Sequence, residues 1–100
     1  MEHTMYARLT RFQADISRRD EALAKTDDEI LADMHNEPGF KHMYVLVDPE
    51  TGDGTVITLW DSKETEEASR ASVAQRFAVL ADLMTAPPQP SEALEVLLEG

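Results

Sequence analysis

Four side chains in this chain of 100 residues could do chemistry together: Arg8, His42, Tyr44 and Trp60. The indole of Trp60 offers a face on which a planar aromatic molecule stacks. Histidine is a ready proton carrier, so His42 could move a proton, and the Tyr44 phenol beside it could do the same. Arg8 stands mid-strand, where a charge must be paired or reach water, and it could hold an anion or a phenolate. Each has a plainer reading. Trp60 could fill the core against Phe77, Arg8 could pair with an acidic residue such as Glu95, and His42 could be a hydrogen-bonded structural residue. On the first reading the site is Trp60, Arg8 and Phe77 for binding, with His42 or Tyr44 moving the proton.

Other chemistries lack their residues. The chain has no cysteine, which excludes disulfides, thiolate metal sites and a cysteine nucleophile. His3, His35 and His42 are not at i,i+4 spacing, so no metal site is expected. His35 suits a helix C-terminus, and His3 belongs to a loose terminus. The four glycines form no phosphate loop, and no GxSxG elbow is present. Met34, Met43 and Met84 read as core fillers. The neighbours Asp27 and Asp28, like Glu66 and Glu67, should diverge around a helix and share no ligand. No cofactor is expected.

These residues are positioned by a readable order of elements. Met5 to Gln13 alternates with period two and reads as a strand. Asp15 or Ser17 could cap the acidic helix that follows through Glu37, with a narrow stripe at Leu23, Ile30, Leu31 and Met34. Thr26-Asp27-Asp28-Glu29 is itself a capping signal and could open a second helix after a break. Pro38-Gly39 stops the helix. Phe40 to Val47 and Thr55 to Trp60 are strands joined by the turn-forming DPETGDG. Ser62 or Thr65 caps a helix with a stripe at Val73, Phe77, Leu80 and Met84. The connector APPQPS leads to a last strand over Ala93 to Leu98.

That order, β-α-β-β-α-β over residues 1–100, predicts one ferredoxin-like α+β domain: an antiparallel sheet with both helices on one face. The uncovered face should then be polar. Instead, Phe40, Tyr44 and Leu46 oppose Met43, Val45 and Val47 along one strand, so both faces are apolar. A second copy packed sheet to sheet is the simplest cover, and a homodimer is expected, with the Tyr6, Arg8, Thr10 and Phe12 side facing it. The net charge of −11 disfavours nucleic acid and anionic membrane surfaces. No apolar run is long enough to span a bilayer. The opening residues MEHTMYARLT lack the pattern of a secretory signal, so a cytoplasmic location is the default.

Pro38-Gly39-Phe40 at the second strand, the run VITLWDSKETEEAS from Val56 to Ser69 and the element order together resemble the dimeric α+β barrel proteins, in particular the antibiotic biosynthesis monooxygenase-like group. The resemblance implies a homodimeric barrel and cofactor-independent oxygenation. Heme-degrading relatives keep a tryptophan where Trp60 stands, but they also need an asparagine near Ala7 and a histidine on the helix from Glu64 to Met84. This chain has neither, so heme degradation is not implied. Two main functions remain open. One is a cofactor-independent monooxygenase acting on a small aromatic or polyketide-like substrate. The other is a non-catalytic small-molecule-binding or dimerisation module of the same fold. Another small-molecule enzyme, such as an isomerase or cyclase, is the third option.

Overall fold

The alternation that opens the chain forms β1, Tyr6–Ala14. The computed structural model describes residues 4–100, so His3 lies outside the described residues. Asp15 ends the strand and caps a short 3-10 turn, Ile16–Arg18, by accepting the Ser17 N–H at 3.1 Å. Helix α1, Arg19–Lys25, follows, and then a wide π-turn, Thr26–Leu31, and a last turn α2, Ala32–Met34. The expected break at Thr26 does not occur. The Thr26 hydroxyl bonds back to the Ala22 carbonyl at 2.8 Å, and the helix widens instead of stopping.

Gly39 reverses the chain with φ +80°, a conformation that disfavours any side chain, and its carbonyl accepts the Asp61 N–H at 2.8 Å. Strand β2, Phe40–Val47, then pairs with β3, Asp53–Trp60. Ser62 caps α3, Lys63–Phe77, through the Thr65 N–H at 3.2 Å. The helix tightens into a 3-10 segment, Ala78–Leu83, before two short strands, β4 (Met84–Ala86) and β5 (Glu92–Glu95). The strand order is β2-β3-β1-β4, with β5 also against β1. All pairings are antiparallel.

The last strand, expected over Ala93 to Leu98, instead spans Glu92 to Glu95, and Met84, expected on the helix stripe, opens the separate strand β4. β4 pairs with Gln13 and Ala14, and β5 pairs with Tyr6 to Leu9. The proline-rich connector stays on the same edge, where the Gln89 N–H reaches the Arg11 carbonyl at 3.1 Å. Prolines cannot donate to the ladder, so pairing lapses there and resumes at Glu92.

Register decides the two faces. Tyr6 opposes Trp60, Arg8 opposes Thr58, and Met43 opposes Thr58 from the other side. This set lies under the helices, where Ile30, Met34, Val73, Leu80 and Leu83 join Trp60 in the buried core. The sequence assignment of the Arg8 side to a partner chain is thus reversed: it is the helix side. Phe40 also changes sides. An extra residue at Lys41 bulges β2, so Phe40 pairs with Trp60 while His42 already pairs with Leu59. The open face carries Ala7, Leu9, His42, Tyr44, Leu46, Ile57 and Leu59, and Tyr44 and Leu46 are each 53% exposed.

Candidate functional site

The densest polar chemistry lies under the helices, around Arg8. This side chain is buried in mid-sheet, and α3 brings Glu66 and Ser69 down onto it. Arg8 Nε donates to Glu66 Oε2 at 2.8 Å. Its Nη2 donates to the Glu66 carbonyl at 2.8 Å and to Ser69 Oγ at 2.5 Å. Arg70, one turn along α3, adds two bonds to the same carboxylate, at 3.0 Å and 2.7 Å. Burial alone would raise the Glu66 carboxyl, but the hydrogen bonds and charges of Arg70 and Arg8 outweigh it and hold the group below its ordinary range. A second pair sits nearby. Glu37 accepts from Ser72 and Arg76, and its carboxyl is also lowered, by the Ser72 hydroxyl first and against the effect of burial.

Trp60 closes the arrangement from the sheet. It is 0% exposed. Its ring meets Phe40 edge-on at 5.6 Å and lies 5.3 Å from the Arg8 guanidinium carbon. Its N–H donates to Thr58 Oγ1 at 2.9 Å, which satisfies the one polar atom that would otherwise seek a partner. Phe77 packs half-buried on the same core. Of the five residues predicted from sequence, Arg8 and Trp60 therefore meet here, and Phe77 packs on the same core. Arg8 is paired with Glu66, not Glu95. His42 and Tyr44 lie on the other side of the sheet, their rings 6.5 Å apart, so within one protomer they cannot work with Trp60 or Arg8. The sheet separates the proton carriers from the proposed stacking and anion-holding groups.

Two hollows open to the surface. One, of about 330 Å³, is lined by Glu37, Pro38, Glu64, Thr65, Ala68 and Ser69. The larger, about 680 Å³, runs between the first helical segment and β2. Leu23, Ala24 and Leu31 form its helix wall, Met43 and Val45 its strand wall, and Asp20, Asp27 and Asp28 its rim. Asp27 and Asp28 both border this hollow. No group of three or more metal-ligating side chains occurs among the described residues.

Solved structures share this architecture along nearly the whole chain. A Caulobacter crescentus protein, named as a candidate antibiotic biosynthesis monooxygenase, superposes with a TM-score of 0.74 at 17% identity, covering 96% of this chain and 92% of its own. A Nitrosomonas europaea protein with the same kind of name gives 0.73 at 14%, covering 97% and 94%. The chain shares the α+β ferredoxin-like fold of these proteins. A monooxygenase of that fold from Streptomyces coelicolor, from the gene ActVA-Orf6 and solved with Nanaomycin D, gives 0.70 at 15%, covering 97% and 89%. No protein-family model and no curated protein matches the sequence.

Within this fold, sequence reasoning missed Glu66, Ser69 and the groove. One signal for Glu66 was available. Stepping the α3 stripe back from Val73 by four and seven residues gives Ser69 and Glu66, a polar pair at core positions facing a lone mid-strand arginine. The groove carried no such signal, because it arises from how the helical segment sits against β2. No helix among the described residues is long and apolar enough to cross a membrane.

Proposed function

We propose that this protein binds a small aromatic molecule in the groove between its first helical segment and β2, and that it works as a homodimer joined through the open sheet faces. The groove carries this reading. Its volume of about 680 Å³ is in the range of small-molecule sites, with apolar walls and a few polar groups at the rim. Trp60 is not the stacking surface, because the core around it is closed. The Arg8 guanidinium is already neutralised by Glu66, so it does not hold the ligand as an anion anchor.

A second reading adds a reaction at the same place. The fold likeness to proteins named monooxygenases, one of them solved with the ligand Nanaomycin D, favours it. The chemistry would be cofactor-independent. A bound anthrone-type methylene would lose a proton, and the resulting carbanion would give its electrons to dioxygen. One oxygen atom would end as the new carbonyl, and the other would leave with the two methylene hydrogens as water. The protein would supply a partly dry groove and a proton acceptor. Here the acceptor is a rim carboxylate rather than His42, which lies behind the sheet.

Calorimetric titration with anthrones and hydroquinones tests binding, and an oxygen electrode tests the reaction. Binding that is lost on filling the groove with Ala24→Trp, without oxygen uptake, would leave the non-catalytic module. Uptake that falls with Asp27→Asn but not with His42→Ala would establish the oxygenase reading. An absence of binding by any aromatic probe would sink both.

A further inference from the structure

The charge of the groove narrows what can enter it. All three ionisable side chains lining it are carboxylates: Asp20, Asp27 and Asp28. They stand on the helix side, while Met43 and Val45 make the facing strand wall apolar. Basic residues nearby are engaged elsewhere or do not line the groove. Arg18 forms a two-pronged pair with Glu21 and also donates to the Asp82 carbonyl at 3.1 Å. Arg19 approaches Asp20 only to 3.9 Å, and both are largely exposed, so the pair leaves most of the Asp20 charge available. Lys25 follows Ala24 in sequence but is not part of the lining. The chain as a whole carries a net charge of −11, which adds a negative field around the mouth.

We propose that the ligand of this groove is a cationic amphiphile: a flat apolar body with a protonated amine. The body would lie between Leu23, Leu31, Met43 and Val45, with the Met43 thioether against its ring. The ammonium would reach the carboxylates that border the groove, Asp20, Asp27 and Asp28. An anionic acid of the same shape is repelled by the same three groups. This rests on the groove being a small-molecule site, as proposed above, and it adds the sign of the ligand's charge.

Three anthracene probes of one shape test it: 9-anthracenylmethylammonium, 9-anthracenemethanol and 9-anthracenecarboxylate, each titrated by fluorescence anisotropy. Exposed carboxylates are each worth about two- to fivefold in affinity, so the ammonium should bind about tenfold tighter than the alcohol, and the carboxylate weakest. Raising salt from 20 mM to 0.5 M should remove most of that preference and leave the alcohol unchanged. The pair Asp27→Asn and Asp28→Asn should bring the ammonium close to the alcohol, and Ala24→Trp should abolish all three. If the probes bind equally and Ala24→Trp still abolishes them, the groove stands and the charge inference falls. If none binds, both fall. The probe and salt series need no variant, so a misfolded mutant leaves the answer intact.

Discussion

Arg8 and Glu66, 58 positions apart in sequence, form an ion pair at 2.8 Å that joins the middle of the sheet to the first turns of α3. Both are buried, and Glu66 is 0% exposed. Two charges lose much hydration on entering such a site, and their attraction offsets that only when every donor and acceptor is used. Here the geometry is well used. The carboxylate also receives Arg70, the arginine also bonds Ser69 and a carbonyl, and no buried side-chain polar atom among the described residues is left without a partner.

Breaking the pair from one side should therefore be costly. Glu66→Ala leaves Arg8 charged and unpaired under the helix, and a loss of about 3–5 kcal/mol is expected. That is a large share of the roughly 5–15 kcal/mol available to a domain of this size. The double variant Arg8→Met, Glu66→Leu should lose much less than the sum of its single changes, because it removes both charges. Urea unfolding of the four proteins measures the coupling, and additive losses would show that the pair is not coupled.

Acid should act through the same groups. Both Glu66 and Glu37 have carboxyl groups held below the ordinary glutamate value of about 4.5. A lowered folded value means that the unfolded chain takes up protons first as pH falls. Their stabilisation is thus full above about 4.5 and is lost as pH drops through the folded values. Relief of repulsion among the other carboxylates opposes this trend, so the difference between proteins is the useful quantity. The gap in urea midpoint between wild type and Glu66→Gln should be widest near pH 6 and shrink below pH 4. A gap that stays constant down to pH 3 would contradict the assignment.

How far the sequence reveals this arrangement depends on which physical rule each element uses. β1, β2, β3 and the stop at Pro38-Gly39 follow from local rules, namely alternation and backbone limits, and they appear where expected. The side to which Arg8 points is not local. Alternation divides a strand into two faces without saying which one the helices cover, and here both faces are apolar. The bulge at Lys41 then moves Phe40 to the side opposite Tyr44, which strict alternation forbids. The groove is set by how the first helical segment packs against β2, which helical spacing alone does not give. Trp60 shows a related limit. Its residue type is compatible with a pocket or a core, and only the closed packing of Phe40, Arg8 and Thr58 around it decides for the core.

That closure makes Trp60 a direct probe, since it is the only tryptophan in the chain. Its emission should be shifted to short wavelength and resist acrylamide quenching in the native state. Aromatic ligands of the groove should leave the emission little changed. Trp60→Ala should cost about 3–5 kcal/mol, as expected for deleting a large buried aromatic. Ready quenching by acrylamide, or strong quenching by a bound ligand, would restore the stacking role to Trp60.

The open sheet face gives the last prediction. Tyr44 and Leu46 are each 53% exposed, and Leu94 is 50% exposed, beside Leu9, Ile57 and Leu59 on one side of the sheet. Such a run of apolar side chains is unfavourable in water, and a second copy offers a matching face. Light scattering should give twice the 11.2 kDa of one chain. Leu46→Lys together with Ile57→Lys should return the monomer while the helix-side core stays folded, because neither residue belongs to that core. Each protomer carries a net charge of −11, so the two repel at long range. Added salt screens that repulsion and should tighten the dimer, whereas it weakens a cation in the groove. A dimer that dissociates as salt rises would mean that the contact is made by charge pairs and not by this face.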